Sequence, residues 1–387
     1  MGLGLRNLTI GLTMLLAVVA VLPAAAQEAT PATGASAQNT IEMPETRIVA
    51  LSPDGTLLVA GNTADGRPRQ LCVYEVATLT ELACGDLDGR KISIWLDSVV
   101  WSPDSTKIAF TEDAFRTLRD GDLWMMDAAT GEITNLTDDG SEGRLPILGD
   151  DEEPSDVPIH VDVLPAWAPD SRAIAFSRSP IIGGEFRGNQ VVSVDLDSGE
   201  VETLVPVTLD VPGVVYFGLA WAPDGERLYY SVAFPDPDEA SNGVWVHDRA
   251  TGRTEHILSS DPEKGPPALI RVAATGQTGL IIYPIYFGQY SAEGDYYALI
   301  ELETNALTPL HPVASDSSSH IVVRVATFSP DGTRVLYGLH RLEDNQSRFL
   351  VRPLPDGQPE AAVAEIEGTA MMTTIGGGLF WANDGTV

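Results

Sequence analysis

The chain has 387 residues, of which 44% are hydrophobic, and its 55 Asp and Glu against 23 Lys and Arg give a formal net charge of −32. This charge repels polyanions, which argues against nucleic acid or an anionic membrane surface as a partner. The 36 glycines and 27 prolines are typical of a turn-rich β protein.

Residues 1–26 have the pattern of a signal peptide. Arg6 supplies a positive charge, Leu8–Leu22 is an apolar run, and three alanines precede Gln27 as a small-residue cleavage site. No cysteine follows the apolar run, which argues against a lipid anchor. An uncleaved anchor is the alternative, because residues 8–26 are barely long enough to span a bilayer.

Residues 27–45 are rich in Ala, Thr, Pro and Ser and predict a flexible leader. No later apolar run approaches membrane length. We therefore expect a secreted or periplasmic protein with no stable membrane insertion once the signal peptide is removed.

Residues 46–387 repeat one motif, an apolar strand, a Pro-Asp-Gly or Pro-Asp-Ser turn and an alternating strand, as in "LAWAPDGERLYY" (219–230). The turn prolines are Pro53, Pro103, Pro169, Pro223 and Pro330. A degenerate copy at 272–285 fills the widest gap, and a last copy at 379–387 has Asn383 in the proline position. A period of roughly 50 to 66 residues indicates a repeat architecture.

Each repeat contains a second turn between two further strands, for example "DAATG" (127–131). Asn305 replaces the glycine of this turn, as a left-handed position allows, whereas Leu79 departs from the pattern. Four strands per repeat predict a blade of a β-propeller. We expect an all-β propeller of six four-stranded blades with a C-terminal closing strand; the alternative is seven blades with the last one incomplete, in a chain that is a fragment.

The motif turn has a physical explanation. Proline presets φ, the aspartate carboxylate caps the turn, and glycine or serine leaves it. The aromatic residue before the turn is expected to pack between neighbouring blades, because a single sheet cannot bury both of its faces alone.

With these repeats, residues 46–387 resemble the TolB-type, WD-repeat-like β-propellers. The resemblance implies the fold and leaves the function open. Only the short leader precedes the propeller, where TolB carries an α/β domain. The sequence also has no G-x-S-x-G elbow, so the hydrolase chemistry of the propeller-containing serine peptidases is not implied.

Cys72 and Cys84, the two cysteines, flank a predicted hairpin centred on Thr78. Residues directly opposite on paired strands have Cα atoms about 4.5–5.5 Å apart, which suits a disulfide. Export to an oxidising compartment favours the bond. Two separate buried thiols are the alternative.

The two recurring turns are predicted to share one face of the ring, and the longer variable connections the other. Function is expected on the variable face. In its longest insertion, Asp150, Asp151 and Glu153 offer oxygen ligands that could hold Ca²⁺, although no EF-hand spacing is present and a solvated acidic loop explains them as well. The histidines show no zinc-ligand spacing, and no other cofactor is expected.

Aromatic residues mark a second candidate site on this face. They are Tyr216, Phe217, Tyr286, Phe287 and Tyr290. Exposed aromatics suit a sugar ring or a protein hot spot, and ordinary packing between loops is the alternative.

Charged residues predict a third candidate site, towards the central channel. Asp97 and Arg324 are expected at one depth of the innermost strands, with His160 and Asp162 near the channel mouth. An acid, a base and an imidazole around one cavity are what a lyase or hydrolase needs. An ion pair in a wet channel is the alternative.

The sequence therefore favours a non-catalytic, exported binding scaffold that engages a protein or an envelope polysaccharide through its variable face. A propeller enzyme, either a polysaccharide lyase or a glycosidase acting at the channel, is the rival. A structural accessory of a secreted assembly is a third interpretation, since the fold alone does not choose among them.

Overall fold

The computed structural model describes segments between residues 46 and 367. They are 46–62, 68–87, 93–114, 120–140, 159–182, 185–186, 188–206, 215–234, 239–262, 264–283, 296–310, 321–341, 346–355, 357 and 364–367. The predicted signal peptide, leader and closing strand lie outside the described residues.

The chain folds into six four-stranded antiparallel sheets, the blades of a β-propeller. Blade 1 contains β1 (Thr46–Leu51), β2 (Leu57–Asn62), β3 (Gln70–Glu75) and β4 (Glu81–Asp86). Blade 2 follows the 3-10 turn Leu96–Ser98 and contains β5 (Val100–Trp101), β6 (Lys107–Thr111), β7 (Leu123–Asp127) and β8 (Ile133–Asn135). Blade 3 contains β9 (Ile159–Trp167), β10 (Ala173–Ile182), the short β11 (Glu185–Phe186) beside β10, β12 (Gln190–Asp195) and β13 (Val201–Val205).

The second half of the ring repeats this plan. Blade 4 contains β14 (Val215–Trp221), β15 (Arg227–Ala233), β16 (Gly243–Asp248) and β17 (Arg253–Ser259). Blade 5 contains β18 (Ala268–Val272), β19 (Thr278–Tyr283), β20 (Tyr296–Glu301) and β21 (Ala306–Pro309). Blade 6 contains β22 (Ile321–Phe328), β23 (Arg334–Arg341), β24 (Gln346–Pro353) and β25 (Ala364–Glu367). The predicted all-β propeller of six blades is confirmed.

The motif tryptophans join consecutive blades, as the repeat predicted. First strands of neighbouring blades contact one another, which places them on the inner side of the ring. The indole Nε1 donates to a carbonyl in the first strand of the preceding blade: Trp101 to Ala50 at 3.3 Å, Trp167 to Val100 at 3.1 Å and Trp221 to Ala166 at 3.1 Å. These tryptophans are buried, so each packs between blades and satisfies its N–H there.

The aspartate of the motif caps its turn. In blade 6, Asp331 Oδ1 accepts a hydrogen bond from the Ser329 hydroxyl at 2.6 Å and from the Thr333 backbone N–H at 3.0 Å. The bond from Ser329 is the main reason that the pKa of Asp331 lies below its usual value. The same arrangement recurs around Asp54 and Asp104, so the motif has a structural role.

Two motif turns carry serine where the others carry glycine, and both serines have a left-handed backbone. Ser105 has φ 63° and Ser171 has φ 61°. The Ser105 hydroxyl accepts the backbone N–H of Asp54 at 3.1 Å, and the Ser171 hydroxyl accepts that of Asp104 at 3.1 Å. Each serine therefore tolerates an unfavourable φ and ties its turn to the preceding blade.

The second turn also has a left-handed residue. Asn305 has φ 58°, as expected for a glycine replacement, and Leu79 holds φ 55° despite its side chain. The turn still closes at Leu79, because the Leu79 N–H donates to the Glu75 carbonyl at 2.7 Å, as the Gly131 N–H does to the Asp127 carbonyl in the next blade.

Cys72 and Cys84 form the predicted disulfide. They are direct partners on β3 and β4, with Cα atoms 4.1 Å apart. A disulfide indicates an oxidising compartment outside the cytoplasm. Within the described segments, no helix is long and apolar enough to cross a membrane.

Candidate functional site

A group of charged side chains lies where blades 2 and 3 meet. We call Asp120, Asp122, Asp139, His160, Asp162 and Arg178 the acidic cluster. Both recurring turns of an antiparallel blade lie at one end of its strands, so the other two connections lie at the opposite end. Asp120 and Asp122 end the connection into β7, and His160 follows the connection into β9. The acidic cluster is therefore on the variable face.

Backbone pairing between the two blades positions the acidic cluster. The Gly121 N–H donates to the His160 carbonyl at 3.0 Å, and the Asp162 N–H donates to the Gly121 carbonyl at 2.8 Å. A Cβ on Gly121 would lie 2.8 Å from the Ala114 Cβ, so only glycine fits at this crossing. The bridge aligns the carboxyl groups on either side of Gly121 with the start of β9.

Asp162 and Arg178 form the buried base of the acidic cluster. They are direct partners on β9 and β10. Arg178 Nε donates to Asp162 Oδ1 at 2.8 Å and Nη2 to Oδ2 at 2.7 Å, a bidentate pair. Burial raises the pKa of Asp162, and the guanidinium opposes this rise. We describe the two side chains as an ion pair, since both carboxylate oxygens accept from Arg178.

Asp120 is the least satisfied member. Its Oδ1 accepts the His160 backbone N–H at 2.8 Å, whereas its Oδ2 is buried without a hydrogen-bond partner. The residue is 6% exposed. Burial, and then the nearby Asp139 carboxylate, raise the pKa of Asp120 to about 8. The group therefore holds a proton at neutral pH, in a site that leaves one of its oxygens unpaired.

Asp122 lies at the half-buried edge of the acidic cluster. Asn135 Nδ2 donates to its Oδ2 at 2.7 Å. Burial raises the pKa of Asp122 to about 6, although the bond from Asn135 opposes the rise. Thr137, whose Oγ1 accepts the Leu123 N–H at 2.9 Å, also bonds to Asp162. Asp122 is therefore ionised at neutral pH while Asp120 is protonated, so the two carboxyls hold different protonation states.

Asp139 and His160 are the outer layer. His160 Nδ1 and Asp139 Oδ2 lie 3.0 Å apart, and each side chain is 27% exposed. This pair is therefore more exposed than the buried Asp120 and Asp162.

Among the described residues, the ligand atoms of the acidic cluster do not have the spacing of a metal site. Oxygen ligands of one bound cation lie within about 5 Å of each other, since each is about 2.3–2.6 Å from the ion. Among the described residues, the one group of three ligand atoms within 4.8 Å of each other is Cys72, Glu81 and Cys84. Both sulfurs of that group are in the disulfide. Within the part of the chain that the structure describes, the acidic cluster therefore has no three ligand atoms this close together.

The structure brings together two of the residues predicted from sequence, His160 and Asp162. Asp97 lies in the 3-10 turn Leu96–Ser98 instead of an innermost strand, and Arg324 lies in β22; their side chains are outside the described residues. The backbones of Tyr216 and Phe217 lie in β14, and their side chains are likewise outside the described residues. Tyr286, Phe287, Tyr290, Asp150, Asp151 and Glu153 lie outside the described residues altogether.

Sequence reasoning missed the other four members of the acidic cluster. Asp120, Asp122 and Asp139 fall in the variable connections where function was expected, but nothing distinguishes them among 55 acidic residues. Arg178 was detectable in principle, as a charged residue shortly after the apolar run "AIAF" (173–176) of the same strand.

Known structures share the fold at low sequence identity. No protein-family model matches the chain, and no characterised protein is similar to it in sequence. An oligogalacturonate lyase in complex with manganese has a TM-score of 0.52 and 14% identity, over 82% of this chain and 77% of that one. A prolyl endopeptidase has a TM-score of 0.54 and 13% identity, over 85% of this chain and 45% of its own. Prolyl oligopeptidase B from Galerina marginata has a TM-score of 0.54 and 13% identity, over 83% of this chain and 42% of its own.

These similarities show the fold alone. The chain spans less than half the length of the two peptidases and about three quarters of the lyase. With the six described blades, they identify the chain as a β-propeller.

Proposed function

We propose that the chain is an exported, non-catalytic binding scaffold of the TolB type, which engages a protein or a cell-envelope polymer through its variable face. It acts in the periplasm or outside the cell, in keeping with the signal-peptide pattern and the disulfide. With a net charge of −32, nucleic acids and anionic membranes are unsuitable partners.

One observation carries the proposal: the variable face holds a buried carboxyl group with an unpaired oxygen, next to half-exposed polar side chains. Asp120 Oδ2 has no partner, while the neighbouring Asp122, Asp139 and His160 are more exposed than Asp120. A buried polar atom that is unsatisfied costs about 1–3 kcal/mol. A ligand that forms a hydrogen bond with this atom would recover this cost, so the acidic cluster is the proposed binding site.

Thermal unfolding against a panel of envelope polysaccharides and captured envelope proteins tests this function. A ligand at about a hundred times its Kd adds about 2.7 kcal/mol of stability. We expect a ligand whose shift is lost in Asp122→Asn and kept in Asp197→Asn, which alters an exposed residue of the turn face. A ligand whose stabilising shift is lost only in Asp197→Asn would contradict the proposal. Parallel runs with calcium or EDTA test the predicted calcium loop at Asp150, Asp151 and Glu153.

Catalysis is the second candidate, and the protonation states of the acidic cluster favour it. Asp120, with a pKa of about 8, can donate a proton at neutral pH, and Asp122, with a pKa of about 6, can accept one. A polysaccharide lyase or glycosidase needs such a pair. The fold relatives include enzymes, a lyase and two peptidases.

Turnover assays on acidic and neutral polysaccharides separate the two functions. If Asp120→Asn abolishes a measured turnover but leaves binding intact, the chain is an enzyme at the acidic cluster. If Asp97→Ala or Arg324→Ala does so instead, the chemistry is at the channel site predicted from sequence. Binding without turnover in every preparation supports the scaffold.

A further inference from the structure

Resting on the proposed function, we propose that the acidic cluster binds a lysine or arginine side chain of a protein partner, and that Asp120 releases its proton as this cation enters. The recognised chemistry is a positively charged nitrogen with several N–H donors.

The shortage of donors in the acidic cluster points to this ligand. Asp120 Oδ2 has no hydrogen-bond partner, and Asp122 accepts one bond from Asn135. Arg178, the arginine of the acidic cluster, already donates to both oxygens of Asp162. A further cation would therefore bond to Asp120 and Asp122, and charge-assisted bonds of this kind are stronger than those from neutral donors.

A lysine or arginine head group can contact several carboxylates at once. The described carboxylates of the acidic cluster offer no three ligand atoms within 4.8 Å of each other. A guanidinium has five N–H donors spread around a plane, and an ammonium has three on a flexible stem, so both can bridge carboxylates that one ion would not contact together.

Depth favours a side chain over an amino sugar. Asp120 is 6% exposed, less than the neighbouring Asp139 and His160, whose side chains are 27% exposed. A lysine or arginine has a thin stem that follows apolar walls while its head reaches a polar group. The ammonium of an amino sugar is bonded directly to the ring, so the whole ring would have to enter.

Charge balance accounts for the release of the Asp120 proton. The raised pKa of Asp120, about 8, favours the protonated form at pH 7. An entering cation favours the carboxylate, so the O–H proton leaves to solvent as the N–H···O⁻ bonds form. Among the described residues, the charged groups around Asp120 include Asp122 before β7, Asp139 after β8, His160 and Asp162 on β9, and Arg178 on β10.

Calorimetry on the full chain provides the test. The probe is tetralysine with both termini blocked, titrated at pH 7 in two buffers of different ionisation enthalpy. We expect release of up to one proton per site, and an affinity that rises severalfold between pH 7 and pH 9, where lysine is still charged. Tetralysine acetylated on every Nζ should not bind.

Two variants separate this site from the general attraction of an acidic surface. Asp120→Asn should abolish the proton release and weaken binding at least tenfold, whereas Glu200→Gln, an exposed carboxylate of the turn face, should change neither. No proton release in the wild type, or equal effects of the two variants, would overturn the proposal. A glucosamine tetramer that binds through Asp120 where tetralysine does not would show a polysaccharide partner and would also overturn it. If the panel finds a ligand of the variable face whose binding is unchanged in Asp120→Asn, this inference fails and the proposed scaffold stands.

Discussion

Removing Arg178 should expose the cost of burying the Asp162 carboxylate. The Asp162 side chain is fully buried and that of Arg178 is 14% exposed. Arg178→Met keeps the apolar stem and removes both donated hydrogen bonds. Breaking a buried pair from one side costs about 3–5 kcal/mol, because it leaves an uncompensated charge. We expect a loss of unfolding free energy in this range at neutral pH.

The loss should depend on pH in a defined direction. In the variant, the folded-state pKa of Asp162 lies above its unfolded value of about 3.9, because burial is no longer opposed by the guanidinium. The folded state then binds the extra proton, so the variant recovers stability as pH falls and loses it as pH rises through the folded pKa. Arg178→Met with Asp162→Leu removes both charges and should recover most of the stability.

Urea denaturation followed by tryptophan fluorescence measures these changes. The matched control is Arg172→Met, because Arg172 and its partner Asp197 are 68% and 63% exposed. An exposed pair is worth less than about 1 kcal/mol. If Arg178→Met loses no more stability than Arg172→Met, or if adding Asp162→Leu makes it worse, the buried ion pair described here is wrong.

Three further outcomes are expected. Replacing Cys72 and Cys84 by serine should cost about 3 kcal/mol for a loop of this length, measured by urea denaturation; no loss would contradict the structural role of the disulfide. The folded pKa of Asp120, about 8, lies above its unfolded value, so its contribution to stability is present below about pH 4 and is lost as pH rises through 8. Asp120→Asn should flatten the fall of melting temperature between pH 6 and pH 9, and an unchanged slope would refute the raised pKa. Ser171→Ala removes the acceptor of the Asp104 N–H but keeps the left-handed φ, so it should lose about 1–2 kcal/mol, whereas Ser171→Gly relieves the backbone and should lose less; the reverse order would contradict the backbone strain, and no loss in Ser171→Ala would contradict the inter-blade bond.

The fold could be predicted because its determinants are local. Each Pro-Asp-Gly or Pro-Asp-Ser turn places its capping carboxylate two residues before the N–H that it accepts, as with Asp331 and Thr333. A repeated local motif therefore specifies each hairpin, and the count of hairpins specifies the blades. The disulfide was predictable for the same reason, since Cys72 and Cys84 are 12 residues apart across one turn.

The acidic cluster is non-local. The bond between the His160 N–H and Asp120 spans 40 residues and exists only because two blades pack together through Gly121. The sequence placed His160 and Asp162 near Asp97 and Arg324, by their depth along the strands. The structure also places them against Asp120, because neighbouring blades bring together residues of different connections; their proximity to the side chains of Asp97 and Arg324 stays a prediction. Burial decides which of many aspartates has a raised pKa, and no short sequence pattern encodes that burial.

A carbon-13 titration of the aspartate carboxyl groups tests the central claim, that the variable face holds a protonated carboxyl group able to bind a ligand. The Asp120 resonance is assigned by its disappearance in Asp120→Asn. We predict that Asp120 titrates near pH 8 and that its pKa falls when a ligand found by the panel is added. A carboxyl that titrates near pH 4, with or without the ligand, would contradict the account.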